Sequence, residues 1–404
     1  MDMNFKQLMA DAKRLTHAGD LSAATRAIQQ ALGGHAGADH PKADPASGGR
    51  DAPTPNADPS RVIEGEWTRM DDEASDPGAD SRADHGSDHG ADKSTDESRA
   101  RTNHATGERT HARGTATPER IVRARHTDKK GSLDYRLFVP ARASDAPPPP
   151  LLVMLHGCTQ NAEDFAVGTG MDELARRHGC LVLYPDQSDR ANPQRCWNWF
   201  KHTHQRRGGG EAGLIEGCVR ALAAEHGVDQ RRIFVAGLSA GGAMAAILGS
   251  VCPDVFAGVG VHSGLAAGAA TNLPEALAAM QRGAPTSVVA QGKVPPTIVF
   301  HGDADRTVHP DNGERIIEGW QQAAGATTGS AAPTVQRQAG DRGKRGWTRR
   351  VHRDAGGRIL AEHWCVHGAA HAWSGGDRRG SYTDASGPDA SAEMLRFFLA
   401  LVPA

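Results

Sequence analysis

Between residues 35 and 117 of this 404-residue chain there is no leucine and no phenylalanine. A stretch dominated by Asp, Gly, Ala, Pro, Ser, Arg and His cannot bury enough apolar surface to offset chain entropy, so a disordered polar linker is expected there. Its one apolar cluster is Val62, Ile63, Trp67 and Met70, enough for a small docking motif. Histidines such as His85 and His89 lack the surrounding structure that orients metal ligands, so no metal site is expected in the tract. Net charge is nearly absent as well, 46 Lys and Arg against 48 Asp and Glu leaving -2. That balance gives no bulk attraction to nucleic acid or to an anionic membrane. No apolar run approaches the roughly 18 residues that cross a bilayer, which excludes a membrane span. The opening Met1-Asp2-Met3-Asn4-Phe5-Lys6 lacks the basic, apolar and small-residue regions of a secretory signal, and a cytoplasmic protein is expected. The six cysteines (Cys158, Cys180, Cys196, Cys218, Cys252, Cys365) stand far apart, with neither a C-x-x-C pair nor zinc-ligand spacing. In a reducing compartment most of them are expected as reduced core residues.

What is present divides the chain in three. In residues 1–34, Phe5, Leu8, Met9, Ala12 and Leu15 recur at helical spacing, Gly19-Asp20 interrupts, and Leu21, Ala24, Ile28 and Leu32 resume before Gly33-Gly34. This spacing predicts an amphipathic helical hairpin, too small to bury its apolar face alone. It therefore docks on the rest of the protein, on a second copy, or on an apolar surface. The polar linker occupies 35–117. From 118 to 404 short apolar strands alternate with helix-length segments, the pattern of a mainly parallel sheet covered on both faces. Strands are expected at Ile121–His126, Leu133–Val139, Leu151–Leu155, Leu181–Tyr184, Ile233–Ala236, Gly258–Val261, Thr297–Phe300 and Ile359–Trp364. Helices are expected near Asp164–His178, Leu214–His226, Ala240–Ser250, Asn312–Ala324 and Ala390–Leu401.

The segment Ile233-Phe234-Val235-Ala236-Gly237-Leu238-Ser239-Ala240-Gly241-Gly242 reads as a buried strand, then Gly-x-Ser-x-Gly, then a helix of small residues. In that context the motif is a nucleophile elbow of the α/β-hydrolase fold. Gly237 and Gly241 remove side chains that would clash at the sharp turn. Ser239 then stands at a helix amino end, where amides and dipole favour developing negative charge. A serine needs a base and an orienting carboxylate. The strand at Thr297–Phe300 runs into His301-Gly302-Asp303-Ala304-Asp305, and the strand at Ile359–Trp364 into His367-Gly368-Ala369-Ala370-His371. The order Ser, Asp, His is that of α/β-hydrolases. Asp303 and Asp305 compete for the acid; His363, His367 and His371 compete for the base. The amide of Ala240 and one from His156-Gly157-Cys158, with Cys158 the choice, supply an oxyanion hole.

Together Leu155-His156-Gly157-Cys158-Thr159-Gln160, Cys196-Trp197-Asn198-Trp199-Phe200, the Ser239 elbow, His301-Gly302-Asp303-Ala304-Asp305-Arg306-Thr307-Val308 and His371-Ala372-Trp373-Ser374-Gly375-Gly376 resemble the polyhydroxybutyrate depolymerase family of esterases. This family is close to feruloyl and acetylxylan esterases, and the resemblance covers roughly residues 120–400. It implies Asp305 as the triad acid and His371 as the base. It also implies Cys158 with Cys196 as the pair for a disulfide that secreted relatives often carry. Ala370 departs from the Gly the family usually has there, and Glu211-Ala212-Gly213-Leu214-Ile215 departs from an Asp-Val-Gly-Phe-Ile-like segment.

The implied chemistry is ester hydrolysis through an acyl-enzyme on Ser239, which needs no metal or organic cofactor. Trp197, Trp199 and Trp373, with Phe200, are concentrated in a chain with only 5% aromatic residues and are expected to line an apolar cleft. Stored poly(3-hydroxybutyrate), related short-chain polyhydroxyalkanoates or their oligomers are the expected substrates. Residues 1–34 suit contact with a polymer-granule surface or self-association. Feruloyl, acetylxylan or general short-chain carboxylesterase activity is the enzymatic alternative. A binding protein on a hydrolase scaffold is the non-enzymatic one.

Overall fold

The computed structural model describes residues 117–285, 294–324, 332–354 and 356–402. The hairpin expected over 1–34, and the linker expected over 35–117 up to its last residue, lie outside them. In chain order the strands are β1 (Arg120–Asp128), β2 (Gly131–Val139), β3 (Leu151–Leu155), β4 (Leu181–Asp186), β5 (Ile233–Leu238), β6 (Gly258–His262), β7 (Thr297–Gly302), β8 (Thr334–Gln338), β9 (Trp347–Arg353) and β10 (Ile359–Val366). The helices are α1 (Ala162–Thr169), α2 (Met171–His178), α3 (Gly210–Glu225), α4 (Ala240–Val251), α5 (Leu273–Arg282), α6 (Asp311–Ala324) and α7 (Ala390–Leu401).

The ten strands form one sheet in the order β1-β2-β4-β3-β5-β6-β7-β10-β9-β8. Its middle, from β4 to β10, is parallel, and β1-β2 and β9-β8 extend it as antiparallel edges. This is the α/β-hydrolase architecture. Strands β3, β5 and β6 are buried at every residue, as strands covered on both faces must be. Alternation along them feeds two cores. Leu151, Val153, Leu155 and Val235 pack with Ile215 of α3, Met244 of α4, Ala276 of α5 and Ile316 of α6. Leu152, Met154, Phe234 and Ala236 pack with Phe165 of α1, Met171 of α2 and Phe397 and Phe398 of α7. Among the described residues no helix is long and apolar enough to cross a membrane.

All eight expected strands form. The helix expected over Asp164–His178 is two helices, because Gly170 takes a left-handed conformation (φ 60°) that ends α1 and starts α2. Asn161 caps α1, its Oδ1 accepting from the Asp164 amide at 2.8 Å. Strands β8 and β9 and helix α5 are additions to the expected elements.

Buried charge ties the far edge to α7. Glu362 of β10 has no exposed surface, and it accepts from Arg349 Nε and Nη2 at 3.0 and 2.6 Å, Arg396 Nη2 at 2.7 Å and Trp364 Nε1 at 3.1 Å. Removing the carboxylate leaves two guanidinium groups and an indole without their acceptor. Glu362→Ala is expected to cost roughly 3–5 kcal/mol, the range for breaking a buried pair. A stability from urea unfolding within about 1 kcal/mol of the parent's would contradict this.

Candidate active site

The elbow forms where β5 ends. Ser239 has φ 57° and ψ -118°, a conformation costing a non-glycine residue on the order of 1–3 kcal/mol. A Cβ at Gly237 would collide with the Gly241 backbone, and one at Gly241 with the Leu155 and His156 carbonyls, so both glycines are required by close approach. The strained turn is held from β6, where the His262 carbonyl accepts the Ser239 amide at 2.9 Å.

The loops after β7 and β10 resolve the competing acids and bases into two pairs. Asp305 Oδ2 meets His371 Nδ1 at 2.7 Å, with Asp305 buried. Asp303 Oδ2 meets His367 Nδ1 at 2.9 Å on the exposed rim, where His367 Nε2 lies 3.0 Å from Thr348 Oγ1 of β9. His363 is buried on β10 with its Nδ1 3.5 Å from Glu314 Oε2, neither ring nitrogen makes a hydrogen bond among the described residues, and burial lowers its pKa despite the nearby carboxylate. The two relays diverge: Asp303–His367 faces β9, whereas the loop carrying His371 is fastened to β6. That fastening is the Ser374 amide, which donates to His262 Nε2 at 2.9 Å. His262 therefore holds both the serine and the histidine loops, a role with no separate signal in the sequence. Burial pushes its pKa down to about 3, so the ring is neutral and accepts at Nε2.

Burial works against ionisation of Asp305, but hydrogen bonds from His301 and His371, with the His371 charge and the Val308 amide, outweigh it. The carboxyl is held well below the usual range. Thr307 and Val308 donate their amides to Oδ1 at 2.8 and 2.9 Å, which fixes the carboxylate so that Oδ2 faces the imidazole. Among the described residues no hydrogen bond joins Ser239 Oγ to His371. Such bonds in unliganded sites are often long and close only around substrate.

Among the described residues the amides of Cys158 and Ala240 donate to nothing, as do those of Gly241 and Gly242 further into the first turn of α4. On the near sides Gly157 donates to Gln160 Oε1, Thr159 to the Gln194 carbonyl and Ser239 to the His262 carbonyl. Ala240 is the first residue of α4, where an amide has no partner within the helix. Cys158 is disulfide-bonded to Cys196, which pins the loop after β3 to the segment 187–198. Glu211 braces the same segment from α3, accepting from the Asn198 amide at 2.7 Å and from Gln187 Nε2 at 2.6 Å.

A cavity of about 580 Å³ opens at Ser239, lined mainly by apolar side chains including Trp199, Phe200, Leu265, Leu273, Leu277 and Met280. Of the three tryptophans expected there, only Trp199 takes part. Trp197 is fully buried with its Nε1 on the His156 carbonyl at 3.1 Å. Trp373 is buried against Phe165 and His262, with its Nε1 on Ser391 Oγ at 3.0 Å. Both are core residues, because each indole N–H finds an internal acceptor. The apolar wall missing from the expectation comes from α5.

Residues 133–342 match the family described as Esterase PHB depolymerase. The chain belongs to this family. As a member, it is 32% identical over 234 residues to poly(3-hydroxyalkanoate) depolymerase C of Paucimonas lemoignei, covering 55% of this chain and 54% of that one. It is 28% identical over 261 residues to poly(3-hydroxybutyrate) depolymerase of Ralstonia pickettii, covering 58% and 51%. The chain thus spans about half the length of these two relatives. Acetylxylan esterase A of Talaromyces purpureogenus is 27% identical over 249 residues, with 57% and 63% covered. Among solved structures, an acetyl xylan esterase from Aspergillus awamori superposes with a TM-score of 0.55 at 17% identity, covering 70% of this chain and 99% of that one, which shows the shared fold.

Proposed function

We propose that this family member is a serine carboxylesterase acting on poly(3-hydroxybutyrate) or related short-chain polyhydroxyalkanoates and their oligomers. The observation that carries the reading is the Asp305–His371 hydrogen bond, on a loop that His262 ties to the same strand end as the Ser239 elbow. In this reading His371 Nε2 takes the hydroxyl proton of Ser239 as Oγ attacks the ester carbonyl, and Asp305 stabilises the imidazolium. The Cys158 and Ala240 amides receive the oxyanion, each worth roughly 3 kcal/mol to the transition state. The ester C–O bond breaks, the alcohol leaves with the proton from His371, and water passes through the same base to release the acid and restore the serine.

Support for the polyester comes from the apolar cavity wall and from the names of the two depolymerase relatives. The acetylxylan relative, with Asn192, Gln194 and Lys201 on the cavity, favours a second reading as a carbohydrate esterase. The purified chain is expected to release 3-hydroxybutyrate from amorphous polymer or its oligomers faster than acetate or ferulate from sugar esters. The reverse preference would replace the first reading by the second. Failure of a fluorophosphonate probe to label the protein would leave only a binding role.

A further inference from the structure

On the β9 side of the sheet's carboxyl edge, away from the serine, three ligand types converge. Asp303 follows β7, Cys365 lies in β10 and His367 follows it, and one ligand atom from each falls within 4.8 Å of the others. Cys365 and His367 are two residues apart on an extended run and so share a face. We propose that Asp303, Cys365 and His367 form a binding site for a zinc-like divalent cation, a role separate from ester hydrolysis.

The atoms not offered to the cation are already engaged. His367 Nε2 sits 3.0 Å from Thr348 Oγ1, which leaves Nδ1, the nitrogen turned to Asp303, as the ligand. Asp303 Oδ1 accepts the Gly368 amide at 2.6 Å, which leaves Oδ2. Outer contacts of this kind orient ligands and fix the imidazole tautomer. The backbone carrying the ligands is fixed too: Asp303 N donates to the Val366 carbonyl at 3.2 Å and His367 N to the Gly346 carbonyl at 2.8 Å. A thiolate, an imidazole and a carboxylate suit zinc better than magnesium or calcium, which prefer oxygen throughout. With bonds of about 2.0–2.3 Å, a tetrahedral zinc holds its ligand atoms about 3.3–3.6 Å apart, so Nδ1 and Oδ2 open slightly from 2.9 Å while the sulfur stays within a few tenths to about 1 Å of its present range. Binding exchanges the His367 Nδ1–Asp303 hydrogen bond for two metal bonds. The Nδ1 proton moves to Nε2, where it is donated to Thr348, and the Cys365 thiol proton passes to solvent. The fourth position faces water, since Asp303 and His367 are exposed.

Cys365 supplies the test. It is the one free cysteine that is not fully buried, the free Cys180, Cys218 and Cys252 being enclosed and Cys158 and Cys196 bonded. The full chain, stripped by a chelator, would be alkylated with iodoacetamide with and without equimolar zinc chloride, and the modified cysteine located by peptide mass. Zinc is expected to slow alkylation of Cys365 at least tenfold, and a chromophoric chelator in competition should report one zinc lost in Cys365→Ser. Thr348→Val, which keeps all three ligands, is expected to weaken that zinc by roughly 10–100-fold. Unchanged alkylation of Cys365 in the presence of zinc would overturn the site even if histidines elsewhere in the chain took up metal. So would a Thr348→Val protein that protects Cys365 at the same zinc concentration as the parent.

Discussion

Ser239→Ala is expected to lower turnover of a soluble short-chain ester by roughly a million-fold, the scale of losing a serine nucleophile whose base and acid act only through it. The expectation follows from the division of labour in the site. In the proposed mechanism Asp305 orients His371, and the Cys158 and Ala240 amides receive a charge that develops only when an oxygen attacks. With alanine at 239 the imidazole has no proton to take, and what survives is the activity of water in a polar pocket. Alanine adds no atom beyond the Cβ the serine already has, so the elbow keeps its backbone and the thermal midpoint should move little. Activity within tenfold of the parent, in a preparation free of contaminating esterase, would remove Ser239 from the mechanism. Fluorophosphonate labelling gives an independent measure, since the adduct should vanish with the hydroxyl.

What could be read in advance follows from how local each cause is. Strands β3 and β5 are apolar throughout, and a buried parallel strand needs nothing else to announce itself. Strand β8 is exposed at all five residues, and β9 carries Arg349 and Arg350, whose partners Glu362 and Glu314 come from other elements. β8 pairs with β9 and β9 with β10, so their strand character comes from the ladder they join and not from an apolar run of their own. Helix α5 is absent from the expected elements although Asn272, Pro274 and Glu275 form a start signal, and Asn272 Oδ1 does accept the Glu275 amide at 3.1 Å. That absence cost the apolar wall of the cavity. The tryptophans failed for a related reason: an indole reads the same in sequence whether its N–H meets a cleft or the His156 carbonyl. Composition left two acids and three histidines open because both Asp303–His367 and Asp305–His371 are sound hydrogen-bonded pairs. The burial of Asp305 and the attachment of the second loop to β6 set them apart.

The second large effect is expected at Asp305, where catalysis and acid stability meet in one carboxylate. Asp305→Asn keeps the size of the side chain and an oxygen to accept the Thr307 and Val308 amides, but it turns an NH2 group toward His371 Nδ1. The imidazole is then driven to the tautomer with its proton on Nε2, the wrong side for accepting one from Ser239. Turnover should fall about ten-thousand-fold. The same change alters the response to acid. In the parent the folded carboxyl sits well below its ordinary value, so its contribution to stability is complete above the unfolded value of about 3.9 and is lost as pH falls below it. The asparagine protein has no such contribution to lose, so its stability should decline less steeply between about pH 5 and the acid transition, from a lower starting point at neutral pH. Urea titrations at stepped pH would measure both slopes. Parallel curves for the two proteins would mean that Asp305 is not held ionised by His301 and His371, and the orienting role would fall with it.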